Sequence, residues 1–228
     1  MNKPAGILVH RTKMNFGETE SVVNSLRDQL GAQVFPVHRL DKPTSGTLVF
    51  ALSSDIARIM QTEFVERRVH KKYLAIVRGY VKEDITIDYP LKEELDRIAD
   101  KKARQDKPAQ EAITKIKVLA QIELPFEVDK YPTSRYSLVL AMPVTGRKHQ
   151  IRRHLRHINH PIIGDTTHGA AKHNKFFENE FKIKRLLLAC TELSFIHPKT
   201  NMQMNIKATL PDDFKNLMIK LNWNDHVV

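Results

Sequence analysis

With 228 residues, 41% of them hydrophobic, and no apolar run near the roughly 18 that span a bilayer, the chain is expected to fold as a soluble globular protein. Its formal net charge of +11 points to an anionic partner, with nucleic acid ahead of a membrane surface. The single cysteine, Cys190, excludes an internal disulfide framework and a cysteine-based zinc site, and reads as a small core residue.

The N-terminus lacks the basic, apolar and small-residue regions of a signal peptide, which predicts a cytoplasmic protein. Over residues 18–30, Val22, Val23, Leu26 and Leu30 recur at helical spacing and Gly31 ends the helix. Residues 45–52 read as a buried strand, after which Ser53 or Ser54 caps a helix that turns Ile56, Ile59, Met60 and Phe64 inward. Residues 70–77 and 81–89 are β-rich with Arg78, Gly79 and Tyr80 as a turn between them, and residues 111–119 and 135–141 add strands. The stretch 97–110 is poor in apolar residues and reads as a solvated loop, with ordering on RNA as the alternative.

Residues 147–160 place Ile151, Leu155 and Ile158 at helical spacing before Pro161 stops the helix. Residues 186–196 and 202–208 return to strand, and Pro211 opens a last helix that runs to Leu221. Hairpins interleaved with a few helices predict an α+β fold in which helices flank a mixed, largely antiparallel sheet. No linker forces a split into two domains.

Three segments can carry chemistry. In His38-Arg39-Leu40-Asp41-Lys42-Pro43-Thr44-Ser45-Gly46, a carboxylate stands on a turn that leads into a buried strand. From residue types alone, Asp41 reads more readily as a turn-stabilising aspartate than as a nucleophile. Residues 145–157 hold five Lys and Arg and no acid, so an apolar stripe is expected to face the core while a free basic face and a helix N-terminus suit phosphate. That segment belongs to a wider patch, since residues 101–175 carry 15 Lys and Arg against 6 Asp and Glu. Tyr73, in a strand beside Lys71 and Lys72, either stacks on a base or simply packs half-buried.

His149, His154, His157 and His160 have no Cys or carboxylate at metal-ligand spacing, so no metal is expected. The glycine-rich nucleotide motifs and the serine-hydrolase motif are absent as well, and no cofactor is expected.

Together these segments resemble the RluA-type pseudouridine synthases. That family carries, in this order, His-Arg-Leu-Asp-x-x-Thr-Ser-Gly, a Lys-x-Tyr strand and Gly-Arg-x-His-Gln-Ile/Leu-Arg-x-His. The opening Asn2-Lys3-Pro4-Ala5-Gly6 and the later His160-Pro161-Ile162-Ile163-Gly164-Asp165 extend the resemblance over nearly the whole chain. Residues 88–96 and 131–136 resemble members that act on uridine 65 of tRNA.

The resemblance implies the pseudouridine synthase fold with a central RNA-binding cleft, one catalytic domain over residues 1–228, and a missing strand ahead of Lys3. It implies isomerisation of a tRNA uridine with Asp41 as nucleophile, Arg152 pairing with Asp41, and Tyr73 against the uracil with a part in proton removal from C5. Arg39 is then expected to fill the space the flipped uridine leaves. Lys101, Lys102, Arg147, Lys148, Arg153 and Arg156 would contact phosphates. Large-subunit ribosomal RNA is the alternative substrate, and a non-catalytic RNA-binding protein the alternative of another class. No membrane and no obligate protein partner are implied.

Overall fold

The computed structural model describes residues 1–10, 21–94 and 107–226. The first half contains β1 (Asn2–Lys3), α1 (Val22–Leu30), β2 (Phe35–Pro36), β3 (Ser45–Thr47), β4 (Phe50–Ala51), α2 (Ser54–Val65), β5 (His70–Arg78) and β6 (Ile85–Asp88). The second contains β7 (Ile113–Leu124), β8 (Ser134–Pro143), α3 (Gln150–His157), α4 (Ala171–Phe181), β9 (Leu188–Ile196), β10 (Gln203–Lys207) and α5 (Asp212–Lys220). Local signals account for several of these bounds. The Ser21 and Ser53 hydroxyls accept from Asn24 N and Ile56 N to cap α1 and α2, and Gly31 closes α1 in the left-handed region at φ 61°.

Eight strands form one sheet in the order β1-β3-β9-β5-β8-β7-β6, with β10 paired to β9. Only the β3–β9 pairing is parallel, so the α+β fold with a mixed, largely antiparallel sheet is the one observed. A two-stranded sheet joins β2 to β4. Side chains alternate across β5: Tyr73, Ala75 and Val77 join a cluster with Val22 of α1, Met60 of α2 and Leu155 of α3. Leu74 and Ile76 join the opposite cluster with Phe177 of α4 and Phe214 and Met218 of α5. Each fully buried Val, Leu, Ile, Phe or Met among them contributes about 1.5–3 kcal/mol. Among the described residues, no helix is long and apolar enough to cross a membrane.

The structure corrects several expectations. Residues 45–52 are two strands in different sheets, and at the break Leu48 N donates to Met1 O while Val49 N donates to His38 Nε2. Residues 70–77 and 81–89 do not form a hairpin, because the turn after β5 is tied to β8 instead. Gly79 N donates to Arg135 O, Ser137 Oγ donates to Gly79 O, and Val81 N donates to Ser137 Oγ, which sends the chain past β8 to pair with β7.

Helix α3 begins at Gln150 and not at Arg147, since the Gln150 side chain accepts from Thr145 Oγ1 at 2.7 Å and Arg147 N at 2.9 Å. Ile59 is exposed and Ala57 takes the inward position on α2. Helix α4 was not expected. The proposed start of α1 at residue 18, and most of the stretch 97–110, lie outside the described residues.

Candidate active site

The Asp41 turn is fixed from below. Gly46, at φ 113°, lies so close to β9 that a Cβ there would stand 2.1 Å from Cys190 O, so only glycine allows the β3–β9 pairing. Thr44 N donates to Asp41 O at 3.0 Å, and Lys42 O accepts from Gly6 N at 2.8 Å and Lys3 Nζ at 3.1 Å. Lys3 is fully buried. Burial, with Arg185 adding to it and Asp41 opposing, brings the Lys3 ammonium down to about 8.

Arg152 comes from α3, seated in the core by Ile151 and Leu155. Its Nη1 lies 3.2 Å from Asp41 Oδ2, while Nε and Nη2 form a fork on Asp165 at 2.7 and 2.8 Å. The two carboxylates thus hold different edges of one guanidinium, so its orientation toward Asp41 is set by Asp165. Asp165 also accepts from Thr167 N and His168 N, each at 2.9 Å. It follows Gly164, where a Cβ would meet Arg185 O at 1.9 Å. Burial acts against both charges. The paired carboxylates, Asp165 first, still raise Arg152 above its usual value, and Arg152 with the two backbone N–H groups lowers Asp165.

Tyr73 sits beside a β-bulge in the β5–β9 pairing, where the register shifts between Lys72 and Tyr73. It is 8% exposed, and burial first, then the neighbouring Cys190, pushes its phenol well above the usual range. Cys190 is itself pushed up to about 12 by burial, consistent with a core thiol. Lys71, lowered by burial, donates to Thr145 O at 3.4 Å.

A cleft of about 610 Å³ joins these groups, and its walls include Asp41, Tyr73, Arg152, Arg39, Arg147 and Lys148. Arg153 and Arg156 are not among its walls. The basic face of α3 is not free as expected. Lys148 Nζ donates to Glu94 O at 2.9 Å, Arg153 Nη1 to Lys92 O at 2.8 Å, and Arg153 Nε pairs with Glu94 Oε1 at 3.3 Å. Arg147 Nε donates to Glu111 O at 3.0 Å. At the helix N-terminus no side chain caps α3, and the Gln150 amide is held by Thr145, Arg147 and Ile113. Arg39 and Arg156 are exposed. Lys101 and Lys102 lie outside the described residues.

The four histidines do not converge on one metal-holding group among the described residues. His154 is buried between Thr114 Oγ1 and Tyr89 O, His157 stacks on Tyr89 at 3.6 Å, and His160 Nδ1 meets Arg78 O at 2.9 Å. His149 faces the cleft in the left-handed region at φ 53°, a conformation that costs a non-glycine residue about 1–2 kcal/mol. Among the described residues, Glu94, His149 and His168 are the one group with donor atoms near enough to hold a metal ion. Their spacing is accounted for by the His149–His168 hydrogen bond at 3.0 Å and the Glu94 ion pairs, and no metal role is assigned.

Asp41, Tyr73 and Arg152 are thus brought together as the sequence predicted. Asp165, Lys3, Glu94 and His149 were not singled out for roles. The Gly164-Asp165 pair was visible as a landmark, but its partner lies 13 residues away on another element.

Residues 1–157 match the RNA pseudouridylate synthase family. Over 228 residues the chain is 53% identical to tRNA pseudouridine synthase C of Vibrio parahaemolyticus, covering 100% of this chain and 93% of that one. It is 49% identical over 225 residues to tRNA pseudouridine synthase C of Haemophilus influenzae, covering 99% and 94%. Among solved structures it is similar to Human RNA Pseudouridylate Synthase Domain Containing 4, with TM-score 0.71 and 25% identity over 97% of this chain and 88% of that one. Human RNA Pseudouridylate Synthase Domain Containing 1 gives 0.68 and 26% over 93% and 79%. The chain belongs to the RNA pseudouridylate synthase family of isomerases.

Proposed function

We propose that this chain, as one catalytic unit, converts a uridine of tRNA to pseudouridine, with Asp41 as the nucleophile. The tRNA substrate is supported by the names of its relatives, and uridine 65 as target by the resemblance of residues 88–96 and 131–136. The reaction breaks the N1–C1′ bond, turns the uracil and rejoins it through C5. It needs a nucleophile, an enclosed space for the loose base and an exit for one proton.

The observation that carries this reading is the 3.2 Å contact between Arg152 Nη1 and Asp41 Oδ2 in the cleft that Tyr73 lines. A carboxylate attacks as the anion, and Arg152 turns that anion toward the cleft because Asp165 occupies its other edge. Lysine, a point charge on a flexible stem, lacks the planar fork that grips Asp165 and thereby fixes the edge facing Asp41. Tyr73, a protonated phenol, is suited to pack on the uracil. Flipping the uridine out of its helix costs a few kcal/mol, and Arg39 on the cleft wall is placed to fill the gap. Arg147, Lys148, Arg153 and Arg156, with Lys101 and Lys102, supply the phosphate contacts, and binding weakens as salt rises.

The test is purified protein on unmodified tRNA transcript labelled with tritium at uracil C5. Wild type releases tritium, whereas Asp41→Asn binds within about tenfold, or about 1.4 kcal/mol, and releases none. Release by Asp41→Asn refutes the nucleophile. Release only from ribosomal RNA refutes the substrate.

A further inference from the structure

We propose that a buried hydrogen-bonded chain, from Thr145 through Gln150 and Thr114 to His154, fixes how α3 is turned on β7 and so positions Arg152 against Asp41. The inference rests on Asp41 being the nucleophile. At about 3.6 residues per turn, Gln150 and His154 fall about 40° apart around the helix, and Arg152 about 160° from each, on the far flank of the stripe made by Ile151 and Leu155. Apolar contact is non-directional, so the stripe holds α3 down but sets its rotation only loosely. At a helix's outer radius of about 5–6 Å, a turn of about 10° moves a group by about 1 Å. That is enough to break the 3.2 Å bond from Arg152 Nη1 to Asp41 Oδ2. Asp165 orients the guanidinium, but the helix that carries it is held from the near flank.

On that flank the role of every side-chain atom in the chain follows from its neighbours. Ile113 N donates to Thr145 Oγ1 at 2.9 Å, and Thr145 Oγ1 donates to Gln150 Oε1 at 2.7 Å, which also accepts from Arg147 N at 2.9 Å. Gln150 Nε2 donates its two hydrogens to Ile113 O at 3.0 Å and Thr114 Oγ1 at 2.9 Å. Tyr89 O can only accept, so the proton of His154 stands on Nε2, 3.0 Å away. Nδ1 then keeps its lone pair for the Thr114 hydroxyl, also at 3.0 Å. The chain thus ties the loop before α3, strand β7 and the residue after β6 to one side of the helix.

Thr145, Gln150, Thr114 and His154 are all buried, so a group that loses its partner here finds no water in its place. Burial, reinforced by His157 and Arg153 and opposed by the Tyr89 carbonyl and Asp88, lowers His154 below its usual value, in keeping with the neutral ring the chain requires. Thr114 and His154 are not among the cleft walls. They act through Arg152 and touch no substrate, which makes them positioning residues.

The experiment measures single-turnover tritium release and tRNA affinity for wild type, Thr114→Val, Thr114→Ser and Asp41→Asn. Valine keeps the shape of threonine and removes the hydroxyl, which leaves Gln150 Nε2 one acceptor short and His154 Nδ1 without a donor. Thr114→Val should release tritium about 10-fold to 100-fold more slowly, as when a reacting group is misplaced by about 1 Å, with affinity within about threefold of wild type. Thr114→Ser restores the hydroxyl and should restore the rate. Thr145→Val, which removes the hydroxyl at the other end of the chain, should show the same split and stands in if Thr114→Val does not fold. NMR of the imidazole nitrogens in wild type should find the His154 proton on Nε2. A wild-type rate from folded Thr114→Val beside an inactive Asp41→Asn overturns the proposal and leaves the nucleophile intact. An equal loss in Thr114→Ser, a loss confined to tRNA affinity, or a proton on His154 Nδ1 overturns it too. So does failure of both valine variants to fold, which makes the chain a folding element alone. Full turnover by Asp41→Asn removes the nucleophile and the premise with it.

Discussion

The two faces of the sheet bury different things. Against α4 and α5, Tyr136, Phe177, Phe214 and Trp223 are all buried, and the Tyr136 and Phe177 rings meet edge to face at 4.8 Å. Against α1–α3, the same strands meet buried Arg152 and Asp165, and Tyr73 and Asp41 border an open cleft. One face is thus a filled apolar layer and the other keeps charge and space. Both faces have an apolar core, but only the α1–α3 face adds to it a guanidinium held between two carboxylates beside a cleft.

Arg152→Met tests the charged face most severely. Removing one partner of a buried pair leaves Asp165 an uncompensated buried charge, which costs about 3–5 kcal/mol, and Asp41 loses its orienting contact. Urea unfolding and tritium release should both register the loss. A variant as stable as wild type would mean the charged face is not held by this pair. Phe177→Ala tests the other face. It should also cost about 3–5 kcal/mol in urea, yet leave kcat unchanged at temperatures where the variant stays folded. A large fall in kcat would show that the faces are coupled and not divided.

The division was only half legible in the sequence. Ser53, Gly31 and Pro211 signal their helix ends through neighbouring backbone, so α1, α2 and α5 were readable. Helix α4 was not, because its inward positions run His173, Phe177, Phe181, with a histidine where apolar spacing would be sought, and Ala170 offers no capping side chain. The separation of β5 from β6 depends on the tie between Gly79 and Arg135, a contact across 56 residues that no local pattern encodes. Asp41 and Arg152 were named through motif resemblance. Asp165, which orients the arginine, could be recognised only once the fold had joined α3 to the loop after it.

Acid should separate the faces further through His38, on the cleft wall. Its Nε2 accepts from Val49 N at 3.0 Å and its ring stacks on Phe64 at 4.8 Å, so the folded state needs it neutral. Burial first, then Lys71 and the terminal amine, lowers it from 6.5 to about 3. Below pH 6.5 the unfolded chain binds a proton that the folded chain refuses, so stability falls as pH drops from 6.5 toward 3, by roughly 2–4 kcal/mol from this group. Urea midpoints at pH 7 and pH 4 should therefore fall further for wild type than for His38→Gln, whose amide oxygen can accept the same N–H. Equal losses in the two proteins would remove His38 as the source.

The smallest expected effect concerns Glu94, the carboxylate that the basic residues around the start of α3 surround. Glu94 stands 3.3 Å from both Arg153 Nε and His149 Nδ1 and 3.7 Å from His168 Nε2, in the place where the proposed phosphate contacts converge. An approaching phosphate meets its repulsion and must compete for the same donors. Glu94→Gln keeps an acceptor of the same shape and removes the charge, so tRNA should bind about threefold to tenfold more tightly, or about 0.7–1.4 kcal/mol, at low salt. The gain should shrink as salt rises. Glu178→Gln on α4, where the acid pairs with Lys175 and Lys184 on the opposite layer, is the matched control and should leave affinity unchanged. Anisotropy titrations of labelled tRNA measure both. Equal tightening by the two variants would mean that net charge alone acts, and that the position of Glu94 beside Arg153 and His149 does not matter.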